Sequence, residues 1–385
     1  LSLAMTLTLL SGFTVQAKDS GDEMGGYLWT FFNAEGGYEK IFFGYSEDGL
    51  TWQKLNKDSG GIDIWMEKIN YNKFTQGTWY NEFSENIESG YLNAAGDSLK
   101  LYDRLDLIST QSALNNDFEQ LAGNVYSNIM QREQNIGGMF NNTLDILQNS
   151  ENNTKENVKI NIIGGKGKNK EETDGITGYD YTTAGVLALR EVERTYRHTF
   201  GYSLGYLHTG FDLNDGNDSE DKADTIQLGV HNKYETNGWK LKNDLTGRVS
   251  FHNVDRNIDW TDSIEKLDDK YMSYGVSLDN TLLKEFELNK VLKISPLLSL
   301  DFGYQYLDKV KEESSVSALE IDSNNAYSIK PGAGIRVDGN IPLGSRSAWE
   351  LKSALEVKYE YELGEAQPEE TARSLIAMII DSPST

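Results

Sequence analysis

From about residue 200 to residue 361 the chain alternates apolar and polar positions with a period of two, in one long segment after another. The clearest segment begins at Trp239. Trp239, Leu241, Leu245, Val249 and Phe251 share one side, and Lys240, Lys242, Asp244, Thr246, Arg248, Ser250 and His252 share the other. Successive side chains of a strand point to opposite faces, so the pattern predicts strands with one greasy and one charged face. The same alternation recurs over residues 200–206, 226–230, 272–278, 294–306, 327–337 and 349–361, and more weakly over 158–165 and 179–191, for about nine strands. Strands of a water-soluble sandwich usually run roughly five or six residues. A strand crossing the hydrocarbon core needs roughly 9–11 residues at a steep tilt. These segments run past that length, which predicts an all-β, transmembrane antiparallel barrel. Trp239, Phe251, Tyr304, Tyr306, Trp349 and Tyr361 stand near strand ends, where interfacial aromatic girdles lie.

The expected connections alternate in length. Residues 235–238 and 285–289 read as tight turns, and 212–224, 253–270 and 308–325 read as long loops rich in Asp, Asn, Glu and Ser. Outer-membrane barrels have short periplasmic turns and longer external loops, so the acidic loops are expected at the cell surface. The charged face is too polar for a sandwich core and suits a wet lumen. Lys240, Lys242, Asp244, Arg248, Lys293, Asp301, Arg336 and Lys352 are the candidate lumen-lining residues, with Glu350 and Glu356 adding balancing charge.

Composition fits that reading. The chain has 385 residues, 38% of them hydrophobic, and no apolar run of 18 or more that could be a spanning helix. A barrel is compatible with such a composition because only every second residue meets lipid. The formal net charge of −24 excludes a phosphate-binding surface of the usual basic kind, so nucleic acid is not an expected partner. Cysteine is absent, and the four histidines lack metal-ligand spacing. No catalytic, cofactor or metal site is assigned.

Residues 1–13 form an apolar run with small residues, followed by Val15-Gln16-Ala17 and then Lys18 and Asp19. This reads as an export signal over 1–17 with a signal-peptidase site. Residues 26–32 and 39–55 read as a hairpin with Ser46, Asp48, Gly49 and Trp52 at its turn, within a short β-rich region, 18–66. The hairpin resembles the first blade of a glycoside hydrolase family 43 propeller, over residues 26–65 only. The family's catalytic carboxylates are spread over other blades and have no assignable counterpart here.

Residues 67–150 are expected to form a linker region. Phe118, Leu121, Val125 and Ile129 recur at three- and four-residue steps, which predicts an amphipathic helix over 114–130. With Gly123 and Tyr126, and Ala122 where Ser is usual, this segment resembles the helix preceding the translocator barrel of bacterial autotransporters. The strands that follow, such as Tyr-Ser-Leu-Gly-Tyr-Leu-His-Thr-Gly-Phe over 202–211, resemble that family too, so the likeness covers 114–365. It implies a type V secretion barrel of the 12-stranded type over 151–365 in a Gram-negative outer membrane, with a helix threading its lumen. It also implies export of the chain's own passenger segment, and as partners outer-membrane lipid and the barrel-assembly machinery. Asn141-Asn142 stands where some members cut their linker, but Asn pairs recur at Asn115-Asn116 and Asn152-Asn153. After Ala372 the family's last strands and closing aromatic residue are not matched. The barrel is therefore expected to be cut short at about nine strands, by truncation or a shifted frame, with an atypical tail over 366–385. Two other readings compete: a secreted family 43-like glycosidase fragment fused to a barrel, and a passive porin-like channel. A channel has no use for an amphipathic segment just before its first strand.

Overall fold

The computed structural model describes residues 27–33, 40–46, 53–54, 68–108, 110–150, 152, 154–170, 175–260, 263–313, 315–342, 350–365 and 372–374. The expected export signal, Trp349 and the tail beyond residue 374 lie outside them. The chain divides into two compact units, Leu1–Ile69 and Asn70–Thr385. In the first, Tyr27–Asn33 pairs antiparallel with Lys40–Ser46, and that strand pairs with Gln53–Lys54. A small sheet therefore occupies the place of the expected hairpin, with its Asp48-Gly49 turn outside the described residues.

Among the described residues the second unit is built on nine long antiparallel strands: β1 (Glu156–Asn169), β2 (Tyr179–Thr195), β3 (His198–Leu213), β4 (Glu220–Thr236), β5 (Trp239–Trp260), β6 (Ser263–Lys284), β7 (Leu292–Leu307), β8 (Asn324–Pro342) and β9 (Glu350–Glu360). Each pairs with the next, and β1 and β9 are the two edges of the curved half-barrel sheet. Leu363–Glu365 adds to β8 beyond the end of β9, and Ala372–Ser374 pairs with Leu319–Ile321. Part of the expected atypical tail is therefore in a strand.

The faces are inverted relative to a soluble protein. Leu245 is 45% exposed on the convex side, whereas the next residue, Thr246, is 2% exposed on the concave side. Tyr202, Leu204 and Tyr206 of β3, Ile226, Leu228 and Val230 of β4, and Tyr274, Val276 and Leu278 of β6 are likewise exposed. From Trp239 to Phe251 the strand covers about 25–30 Å along the barrel axis at a typical tilt, the height of an outer-membrane apolar band. Tyr274 and Tyr306 lie with ring centroids 6.2 Å apart at one border of that band, and Lys284 Nζ sits 5.4 Å from the Trp239 ring at the other.

Past the level of Tyr206 and Phe251 the pattern reverses within the same strands. Leu207, Phe211 and Leu213 of β3 and Val254, Ile258 and Trp260 of β5 are buried on the inner face, while Asp212, Asn253, Asp255 and Asp259 turn outward. This is the soluble rule, apolar in and polar out. Two of the expected long loops are corrected by it. Residues 253–270 are chiefly a projecting hairpin, with Trp260 paired to Ser263, and the loop expected over 212–224 narrows to 214–219 between strand ends. The tight turns fall at 196–197, 237–238 and 285–291, at the opposite end.

The helical part precedes β1: α1 (Asn81–Gly90), α2 (Ser98–Asp106), α3 (Gln111–Leu121) and α4 (Ile129–Asn149). The single helix expected over 114–130 is in fact broken. Gly123 takes φ +79°, a left-handed conformation that terminates α3, and a 3₁₀ turn at Asn124–Tyr126 leads into α4. Thr110 caps α3 by accepting from the Ala113 N–H at 3.2 Å. Phe118, Leu121, Leu101 and Leu105 of the helical cap pack with Ile258, Trp260 and Leu267 of the projecting hairpin and Ala318 of the connection after β7. Each of the Leu, Ile and Phe side chains contributes roughly 1.5–3 kcal/mol on burial.

Candidate functional site

Helix α4 lies along the concave face. Its first residues meet the projecting-hairpin end, where Asn128 donates to the Thr177 carbonyl, and its last meet the tight-turn end, where Lys159 donates to the carbonyls of Leu147 (2.8 Å) and Ser150 (2.7 Å). Ile136, Phe140, Leu144 and Leu147 recur at three- and four-residue steps and are buried with Ile163, Leu187 and Leu189 of β1 and β2. The opposite side of the helix is polar and meets the charged face of β4 to β8.

Two ionic clusters hold that side. At the upper end Arg132 donates to Asp221 at 2.8 Å with both side chains fully buried, and Asp221 also meets His252 Nδ1 at 3.1 Å and the Tyr271 hydroxyl at 2.9 Å. His252 Nε2 reaches Glu133 at 2.7 Å, and Arg248 Nε lies 3.7 Å from the same carboxylate. The His252 and Tyr271 rings stack 4.4 Å apart. At the lower end Asp145 sits between Lys242 (2.6 Å) and Arg336 (2.8 Å), and Gln148 donates to Asp244 at 2.5 Å. Between the clusters, Asn141 donates to Asp279 at 3.1 Å beside a cavity of about 510 Å³ lined by Asp301, Gln305, Lys330 and Lys358.

The sequence-derived candidates are therefore only partly brought together. Lys242, Asp244, Arg248 and Arg336 touch α4, and Asp301 lines the cavity next to it. Lys240 instead pairs with Glu285 (2.7 Å) and Glu235 (3.3 Å) at the tight turns, and Lys293 faces Glu287 at 3.6 Å on the surface. Their long side chains sit at strand ends, where turn carboxylates are nearer than the helix. The backbone of Lys352 pairs with Asn340, while its side chain, like that of Glu350, lies outside the described residues; Glu356 pairs with Arg336 at 3.3 Å. Sequence reading missed the helix's own Arg132, Glu133 and Asp145. The signal was the apolar spacing from Ile129 to Leu147, obscured by Gly137-Gly138 and Asn141-Asn142, which lower helix propensity.

Ser203, His231 and Asp244 form a hydrogen-bonded row: Ser203 Oγ lies 2.7 Å from His231 Nε2, and His231 Nδ1 lies 2.9 Å from Asp244. The geometry is that of a nucleophile relay, but acyl transfer also needs aimed oxyanion donors. The neighbouring backbone N–H groups are spent in the strand ladder, and the row is buried beneath the helix. It acts as a polar strut across three strands.

At the projecting-hairpin end the cap is fastened by Arg256, which is fully buried. Its Nε and Nη2 each donate to Glu312 at 2.6 Å, and it also donates to the carbonyls of Gln120 (3.0 Å) and Ser317 (2.8 Å). The Tyr126 hydroxyl donates to the same carboxylate at 2.7 Å. Nearby, burial and the adjacent Asp259 push the Asp117 carboxyl up from 3.8 to about 6. Burial also raises Glu265, but Ser315, Trp260, Ser317 and Arg104 outweigh it and hold that carboxyl below its ordinary value. Since Asp117 binds its proton more tightly when docked, it favours docking at acid pH, and that contribution falls as pH rises from about 4 to about 6. Glu265 opposes this only at lower pH. Added protease should therefore cut the cap several-fold faster at pH 7 than at pH 5, and Asp117→Asn should flatten the difference.

More than half of the chain, residues 158–378, matches the family described as Autotransporter beta-domain. Among solved structures, the translocator domain of the autotransporter NalP from Neisseria meningitidis is similar in fold, with a TM-score of 0.52 and 14% identity over 65% of this chain and 85% of that one. The beta domain of the Bordetella autotransporter BrkA gives a TM-score of 0.40 at 16% identity, over 55% of this chain and 82% of that one. No curated protein sequence matches the chain.

Proposed function

Because the chain belongs to the autotransporter β-domain family, we propose that its strands cross the outer membrane of a Gram-negative bacterium and carry an attached amino-terminal segment to the cell surface. The tight-turn end faces the periplasm, and the projecting hairpin, the acidic outward positions and the helical cap face the exterior. Outer-membrane lipid meets the convex face, and the barrel-assembly machinery inserts it. The observation that carries this reading is α4 on the concave face, running from the hairpin end to the tight-turn end and continuing into β1. A chain so placed has its preceding residues outside and its strands in the membrane. A passive pore gains nothing from a helix fixed by two ionic clusters, and nothing among the described residues supports a glycosidase site.

Lys242, Asp244, Arg248, Asp301 and Arg336 line the passage in this account, and Lys240, Lys293 and Lys352 belong to its periplasmic rim. Reversing the charge at several positions of the first group should reduce surface display of a fused reporter at least several-fold while the barrel still inserts. Normal display would remove their role.

A further inference from the structure

Two glycines let α4 and its wall approach more closely than side chains allow. A Cβ at Gly205 of β3 would stand 2.6 Å from Phe140 Cε1, and a Cβ at Gly137 of the helix would stand 2.8 Å from Arg248 Nη1. Phe140 is fully buried, and its ring occupies the space above Gly205, next to Leu187. We infer that Gly205 is a positioning residue: it leaves a notch in the wall, flanked by Leu187, that Phe140 fills from the helix, and this fit fixes the level at which the exported chain comes to rest. The inference rests on the translocator reading.

Charge alone leaves that level loosely set. The acidic helix residues Glu133 and Asp145 both face basic wall groups, Arg248 and His252 above and Lys242 and Arg336 below. Coulomb attraction weakens only gradually with distance, so a slipped helix keeps part of it. Dispersion and steric fit are lost within an ångström or so. A slip of one turn moves Phe140 about 5.4 Å along the strand, off the notch. It would also carry Val125 and Tyr126 away from the outer core and Tyr126 from Glu312, so the resting level decides whether the cap can close.

The chain has no cysteine, which makes a cross-linking test clean. Asn141 and Asp279 are hydrogen-bonded at 3.1 Å, so the N141C/D279C pair reports the register through a short bifunctional thiol reagent applied to the full chain in outer membranes. Gly205→Leu fills the notch and Phe140→Ala removes the knob. Each should lower cross-linking at least about fivefold, with folded barrel still present by its heat-dependent gel mobility. The double variant, with a knob on the wall and a gap on the helix, should regain most of the signal, which a merely destabilised protein would not. Cross-linking unchanged in both single variants, or a double variant worse than either, overturns the assignment. A parent pair that never cross-links instead sinks the placement of α4 and the translocator reading with it.

Discussion

Arg256→Met is expected to release the helical cap from the barrel. Arg256 holds Glu312 through two charge-assisted hydrogen bonds of 2.6 Å and satisfies the carbonyls of Gln120 and Ser317, joining α3, the projecting hairpin and the connection after β7. The substitution keeps most of the side-chain volume but strands a buried carboxylate, with the Tyr126 hydroxyl and the Leu319 N–H as its remaining donors. Removing one partner of a buried pair typically costs about 3–5 kcal/mol. Docking should thus weaken by hundreds- to thousands-fold. Protease added outside intact cells should cut within residues 70–128 of the variant hundreds of times faster than in the parent, with the strands protected in both. Adding Glu312→Leu should recover much of the protection, because the penalty lies in the uncompensated charge.

Arg132→Met should have a comparable effect at the upper end of α4. Arg132 and Asp221 are both fully buried, and Arg132 also donates to the Val125 carbonyl at 2.9 Å, which ties the turn before the helix to its first turn. His252 and Tyr271 remain on Asp221, so the loss should fall toward the lower part of the same range, about 3 kcal/mol. Amide hydrogen exchange over residues 129–140 should then speed up about a hundredfold, with β4 and β5 little changed. Exchange rates like the parent's would mean that the apolar side of the helix, through Ile136 and Phe140, suffices to hold it.

The strands were legible because their period is two and their apolar positions are numerous. Leu241, Leu245, Val249 and Phe251 each point to the face the alternation assigns them. The outer ends of the strands were not legible as strands. Above Phe251 the acidic residues Asp255 and Asp259 occupy the outward positions while Val254, Ile258 and Trp260 turn in, so the hydrophobic phase flips by one residue. A reader following one phase meets polar residues and infers a loop, although the backbone continues straight out of the membrane into water. Helix α4 was hidden for a different reason. Its propensity is low, and its stability comes from Phe140 over Gly205 and from Arg132 and Asp145 on the wall, contacts between residues far apart in sequence. Of the proposed lining, Lys242 and Arg336 met the helix because they lie at least one pleat further into their strands, whereas Lys240 and Lys293 are second in theirs, where turns compete for them.

The central claim is that one side of each strand faces acyl chains and the other faces the enclosed helix. Leu245 and Thr246 are sequence neighbours on opposite faces of β5, 45% and 2% exposed. Single cysteines at these two positions, labelled with a small fluorophore in the full chain reconstituted with lipids brominated on the acyl chain, separate the faces directly. Strong quenching at 245 with little at 246 is the expected result. Equal quenching at both positions, or stronger quenching at 246, would contradict the account.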